Sequence, residues 1–366
     1  DVMANYSWAE MLPDWLSNKA FPLWTTVGVD PATGTVWEAL DHRGRPLANM
    51  ERRLRVQVRQ AYCFAQSEDP AHRALALQLF RFAMNHGFDP ETGNLGAMLA
   101  PDCRLLSAPH DLYDLAFMLL AAAALIEAGF DVAKDLDRLE TALAWLKAPR
   151  GWFENLATPA RRRQNPHMHM FEASAALFAA TGEARFRNMA EECLSLYRDV
   201  FLKDDGCVLE YFDTDWRPLP TAEQAVEPGH MAEWIYLIDR YEMLTGRGSG
   251  ADLAHLFQAV ARCRDASGLL PDRVEPATGT RRMWPQTELL KAALVLRRRG
   301  LALPSGCTPE EVLSLMWSDY FQVPVTGGWY DKRSETGELL SEDMPASTFY
   351  HILVAFRFYL SGGTCI

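Results

Sequence analysis

An all-α toroid of six helical hairpins, an (α/α)6 barrel formed by residues 1–366 as a single domain, is the fold this sequence predicts. Three observations predict it. Apolar residues recur at spacings of three and four in a dozen separate windows. The connections between those windows alternate between tight turns and long loops. Unusual polar residues on the helices that follow the long loops are Arg59, His110, His169, His230, Glu288 and His351, at steps of 51, 59, 61, 58 and 63 residues. A near-constant period of about 60 residues fits one helical hairpin plus one long loop.

The spacing predicts helices over 8–19, 49–66, 70–86, 110–128, 132–147, 167–181, 184–200, 230–246, 250–264, 285–299, 308–321 and 346–360. In the fourth window the apolar run Ala116–Ile126 falls short of the ~20 residues needed to cross a bilayer, so it reads as a buried helix. Gly129-Phe130 and Thr181-Gly182-Glu183 are tight turns. The long loops carry DPATG (30–34), DPETG (89–93), EPATG (275–279) and SETG (334–337), which predict short β-hairpins capping one end of the helix pairs. Two nested rings of six helices then gather the long loops, and one polar cluster per period, at one mouth, where a pocket is expected. No linker rich in Pro, Gly or Ser divides the chain.

Composition narrows the function classes. The 366 residues are 49% hydrophobic and 23% charged, an ordinary globular balance. A formal net charge of −12 argues against nucleic-acid and anionic-membrane partners. Arg161-Arg162-Arg163 reads as a solvated loop. No secretory signal is visible, and seven cysteines without a C-x-x-C pair predict reduced thiols and a cytoplasmic setting.

The stretch QNPHMHMFEA (164–173) poses a geometric question. On a helix, two residues turn the direction by about 200°, so His167 and His169 face opposite ways. His169 and Glu172 share a face, and His230 and Glu233 in EPGHMAEW repeat that H-x-x-E spacing. His167 is read as structural. H-E-x-x-H is missing and a hairpin separates the two H-x-x-E pairs, so no metal is expected. G-x-S-x-G, GxGxxG and the phosphate-loop motif are missing too, so no nucleotide cofactor is expected. Acid–base chemistry by histidine remains. Tyr62, Tyr113, Trp234, Trp284, Trp329 and Tyr350 flank the candidate positions and are suited to stacking on sugar rings or to filling the barrel core.

VQVRQAYCF (56–64), HDLYDLAF (110–117), QNPHMHMFEA (164–173), EPGHMAEW (227–234), RMWPQTELLKA (282–292) and FYH (349–351) resemble the N-acylglucosamine 2-epimerase superfamily. The resemblance runs from about residue 24 to about residue 357. It implies an (α/α)6 barrel, sugar interconversion at C1 and C2, and catalysis without a metal. It implies that His230 assists ring opening and moves a proton on the O1/O2 side. It makes His351 the base that moves the C2 proton through a cis-enediol. His169 would lie across the sugar with Glu172 behind it, and Arg59 would hold the enediolate oxygen. Asn165, Glu233, Trp284 and Glu288 would bind hydroxyls or line the pocket, with Tyr113 and Trp329 as further contacts. The match reads nearest to the aldose–ketose isomerases of the family, which implies D-mannose to D-fructose on a monosaccharide substrate, by a monomer or homodimer. Three rivals stay open: 2-epimerisation on the same site; a glycoside hydrolase using two of Asp111, Asp114, Glu233 and Glu288; and a non-catalytic binding protein.

Overall fold

The computed structural model describes residues 7–157 and 161–364. Helix α1 (Trp8–Trp15) runs through one wider π turn, Leu16–Ala20, into α2 (Phe21–Thr25). There follow α3 (Leu54–Ala65), α4 (Pro70–His86), α5 (Leu112–Glu127), α6 (Ala133–Ala144), α7 (Gln164–Thr181) and α8 (Ala184–Leu196). The series ends with α9 (Pro228–Thr245), α10 (Leu253–Arg262), α11 (Trp284–Arg298), α12 (Pro309–Tyr320) and α13 (Phe349–Leu360). The odd-numbered helices α3 to α13 each pack on the next, and α13 closes onto α3. Helices α4, α6, α8, α10 and α12, with α1, form the outer ring. This is the (α/α)6 barrel, and each of the twelve predicted windows holds a helix. No described helix is long and apolar enough to cross a membrane.

The two rings follow from the residue pattern. Outer α6 buries Leu136, Leu139, Ala142 and Leu143, one stripe at three-and-four spacing, and leaves the rest exposed or half-buried. Inner α11 is buried without a break from Pro285 to Leu296, because a neighbour lies on every side. Each fully buried aliphatic side chain contributes about 1.5–3 kcal/mol, and Leu139→Ala would cost about 2–5 kcal/mol through the void it leaves. Helices α7 and α9 stop at Gly182 and Gly246, at φ 72° and 71°, a left-handed cap that glycine takes without strain.

All six long loops enter the N-terminal ends of the inner helices. Strand pairs link these loops: 52–53 with 98–99, 162–163 with 211–212, 280–282 with 332–334, and 39–41 with 343–345, all antiparallel. The x-T-G turns form the predicted short hairpins, bridged at Val29–Val36, Phe88–Leu95 and Arg333–Leu339, with Asp272 N–H donating to the Thr280 carbonyl at 2.8 Å across the fourth. A side chain from the helix region ties several loop segments down. Gln57 grips both backbone groups of Val36 at 2.8 and 2.9 Å, and Gln286 does the same to Leu270 at 2.8 Å.

Two expectations are corrected here. His110 does not belong to the polar series of the inner ring: it precedes α5 at φ 58°, and its ring accepts from Leu95 N–H at 2.9 Å and donates to the Ala142 carbonyl at 2.7 Å. It is a hairpin tie, as is His167, whose Nε2 accepts from Trp152 N–H at 3.1 Å. The arginine run is solvated only at Arg161. Arg162 is 2% exposed, donating to the Trp152 and Arg150 carbonyls, and Arg163 turns inward against Glu154. The pattern Arg-Arg recurs before α3 and α11, and in each case the first arginine is buried: Arg52 on Asp30, Arg281 on Asp319.

Candidate active site

A cavity of about 420 Å³ opens at the mouth, among the N-terminal ends of the inner helices. Arg59, Tyr113, Asn165, His169, His230, Glu233, Trp284 and His351 all line it. Each sits in the first two turns of its helix, so the six-fold spacing in sequence becomes a shared depth in space. Positive ends of helix dipoles therefore face the cavity, and only α5, through Asp111, has a side-chain cap among these six helices. Arg53, Arg163, Arg273 and Arg282 add cationic walls from the loops. A chain with net negative charge thus presents a positive pocket.

Three histidines reach this cavity, and each gives Nδ1 to a glutamate. His169 meets Glu172 at 3.1 Å, His351 meets Glu288 at 3.0 Å and His230 meets Glu210 at 2.9 Å. A carboxylate on Nδ1 fixes the tautomer and leaves Nε2 as the working nitrogen. Of the two H-x-x-E spacings, the first forms a pair. The second does not: His230 turns away from Glu233 to Glu210 on the preceding loop, with Glu227 at 4.0 Å.

The environments drive the histidines apart. Burial lowers His230, but Glu210 and Glu227 outweigh it and lift its pKa to about 10, so the ring is an imidazolium at neutral pH. Burial dominates at His351, and Arg59 and Lys291 act the same way; its pKa falls to about 4 and the ring is neutral. Burial also lowers His169. Trp284 lies between the first two, its ring centroid 5.2 Å from His230 and 5.0 Å from His351. Gly229, beside His230, makes room for that indole: a Cβ there would come within 2.7 Å of it.

Glu288 and Glu172 stand behind the histidines and do not line the cavity. Burial raises Glu288, but Lys291 at 2.7 Å and His351 overcome this and hold its pKa at about 2. Glu172 is bonded to His169 and accepts from the Tyr350 hydroxyl. They position the rings where sugar contacts were expected. Trp329 is also corrected: it is fully buried, stacked on Trp24 at 4.7 Å and on Phe349 at 6.2 Å, and is core. Tyr62, Trp234 and Tyr350 likewise lie off the cavity; Trp234 stacks on Tyr197 at 4.4 Å. Arg59 reaches the Ser347 carbonyl at 2.6 Å and lies over the rings of Tyr350 and Phe117 at 4.6 and 4.8 Å, which leaves its charge beside the cavity. Asn165 Oδ1 is buried without a partner.

Sequence reasoning missed Glu210, Glu227, Arg273 and Asp331, which lie outside the helices and strands, and Arg282, which ends the strand 280–282. Burial raises Asp331 to about 6, moderated by Arg282. Two acidic groups, Glu210–Glu227–His230 and Glu233–Glu288–His351, each bring one donor atom per residue within 4.8 Å of the others. Each already holds a positive charge of its own, the His230 ring in the first and Lys291 in the second.

The chain is 36% identical over 94% of its length to the mannose-6-phosphate isomerase of Rhizobium meliloti (strain 1021), covering 94% of that protein. It is 28% identical over 88% of its length to the D-mannose isomerase of Thermobifida fusca, covering 87%. A crystal structure of D-mannose isomerase superposes with a TM-score of 0.84 at 18% identity, over 96% of this chain and 97% of that one. The family model for N-acylglucosamine 2-epimerase (GlcNAc 2-epimerase) matches residues 35–355, and the chain belongs to that family.

Proposed function

We propose that this protein is an aldose–ketose isomerase that converts D-mannose to D-fructose through a cis-enediol. The observation that carries the reading is the pair of histidines in opposite charge states on either side of Trp284. Isomerisation needs a base for the C2 proton and an electrophile for the C1 oxygen at one pH. Neutral His351 supplies the base through Nε2, taking the proton from C2 and returning it to C1. Cationic His230 donates to the carbonyl oxygen, and the Arg59 guanidinium stabilises the enediolate as charge develops. The apolar face of the sugar rests on Trp284. Two histidines and a cationic cavity favour this chemistry over hydrolysis, which needs a carboxylate pair across the scissile bond.

A second reading places a phosphate on C6. It is favoured by Arg273 and Arg282 at the cavity wall: Arg273 stands 3.8 Å from Glu227, and Arg282 shares the wall with the carboxyl of Asp331. The test is incubation with D-mannose and, separately, D-mannose 6-phosphate in heavy water without added metal, followed by proton NMR. Ketose carrying deuterium at C1 supports isomerisation, and the faster substrate fixes the C6 group. Deuterium at C2 of a new aldose moves the assignment to 2-epimerisation, and two inert sugars remove both readings.

A further inference from the structure

Among the carboxylates around the cavity, Glu233 stands apart. It is 1% exposed, yet both of its oxygens lack a hydrogen-bond partner. The neighbouring glutamates are engaged: Glu172 with His169 and Tyr350, Glu288 with His351 and Lys291, Glu210 with His230. Glu233 lines the cavity, and its carboxyl falls in the group with Glu288 and His351 whose donor atoms lie within 4.8 Å. Several groups face it. From α11 come Glu288 and Lys291, from α7 Glu172, from α9 His230 and from α13 His351. Burial comes first and the Glu288 charge second, and both disfavour a carboxylate, as does Glu172; Lys291, already committed to Glu288, and the His230 ring oppose them without reversing the direction. The titration of Glu233 is thereby pushed well above the usual carboxylate range. Glu288 is held charged by Lys291 at 2.7 Å and His351 at 3.0 Å, so of two buried carboxyls this close the proton belongs on Glu233.

An uncharged carboxyl with both oxygens free can give a proton from one and take a proton on the other. The isomerisation has a step of that form. While C2–H is lost and C1–H is gained, the O2 hydroxyl must lose its proton and O1 must gain one. His230 hydrogen-bonds O1 and polarises it, but Glu210 and Glu227 hold its ring cationic, so its proton stays on the ring and neither leaves for O1 nor makes room for the one from O2. We propose that Glu233 is the catalytic group that exchanges the hydroxyl protons of the substrate, its O–H delivering a proton to O1 while its carbonyl oxygen takes the proton from O2. The O–H bonds at Glu233 and at O2 break and those at O1 and at the second Glu233 oxygen form. The side chain ends the step neutral, its proton moved from one oxygen to the other. A base that reaches C1 and C2 from His351 places O1 and O2 beside this carboxyl.

The inference rests on the isomerase reading, and its test separates the two. Glu233→Gln keeps size and neutrality, so the fold is retained, but an amide cannot perform the exchange. The parent protein and this variant are compared in heavy water with the sugar that the parent converts. Ketose formation is expected to fall at least about 10²-fold in the variant, as loss of a proton-transfer group does. Deuterium entry at C2 of the recovered aldose should persist, because His351 still opens the C–H bond. The infrared difference spectrum of parent against variant at neutral pH should show one protonated-carboxyl band lost with Glu233, because Asp114, raised to about 7, contributes equally to both. Ketose formation within about threefold of the parent, equal loss of ketose formation and deuterium exchange, or no change in the carboxyl band overturns the proposal while leaving the isomerase intact. A parent that neither makes ketose nor takes up deuterium removes the isomerase reading and the proposal together.

Discussion

Glu210→Gln isolates the electrostatic control of His230. Gln can still accept from Nδ1–H, so the 2.9 Å contact survives in form while its negative charge is lost. A single opposite charge at this range shifts a pKa by about 1–3 units, or about 1.4–4 kcal/mol between the two protonation states. His230 starts at about 10, with Glu210 the largest influence opposing burial and Glu227 the next. Removing Glu210 therefore brings its deprotonation down to between about 7 and 9. Because the raised pKa holds the imidazolium in place, activity is lost as pH rises through it, and the variant's loss begins earlier. The assay is kcat/KM for the sugar from pH 5 to 11. The parent profile should fall at low pH near about 4, where His351 takes a proton, and at high pH near about 10. In the variant the alkaline limb moves down by about 1–3 units and the acid limb stays. At pH 9 the variant should run between about twofold and about ninetyfold below the parent, and near-equal at pH 6. An alkaline limb unchanged in position, or moved upward, refutes an imidazolium role for His230.

Other expectations are as direct. His351→Asn should lower kcat by about 10²–10⁴ with the unfolding midpoint retained, and near-normal turnover would remove its role as base. Trp329→Ala should cost about 3–5 kcal/mol in urea unfolding through the void among Trp24 and Phe349, with KM unchanged; a raised KM at unchanged stability would return Trp329 to the site. Arg282→Ala should raise KM for a 6-phosphorylated sugar by about tenfold or more and leave the plain sugar unaffected, since a hydrogen bond to a charged group is worth about 1.5–3 kcal/mol; equal effects on both sugars would refute a phosphate contact. Arg59→Lys should lower kcat, because Lys lacks the planar fork that reaches Ser347 while lying over Tyr350 and Phe117; a rate equal to the parent would show that the fork is dispensable.

The barrel was legible because helical periodicity is local. Inner helices read as long apolar windows and outer helices as stripes, and both survive in a bare sequence. Boundaries slipped where long-range pairing competes with helix: residues 49–53 were expected to be helical, but Arg52-Arg53 pair with Leu99 and Met98. His169, His230 and His351 were legible from their spacing on the inner ring. Glu210 was not, because it lies 20 residues before His230 in a loop without periodicity. The i+3 spacing instead offered Glu233, which no local rule could show to be unpaired. His110 misled for the opposite reason. A histidine at the right distance in the chain says nothing about whether its ring points inward, and this one holds the backbone of Leu95.

The ties from Gln57, His110, His167 and Gln286 bear on how a ligand arrives. A mouth built from free loops would have to freeze them on binding, at about 1–2 kcal/mol per ordered residue. Here the loops at Val36, Leu95, Trp152 and Leu270 are fastened by buried side chains on or just before the inner helices, so that loss of freedom is incurred once, when the chain folds. Sugar then enters a mouth that is already set, and weak polar contacts to its hydroxyls are enough to hold it. The same ties limit the range of sugars: a substituent that presses on a fastened loop must break a buried hydrogen bond to fit, so discrimination among them is weighted towards shape at entry.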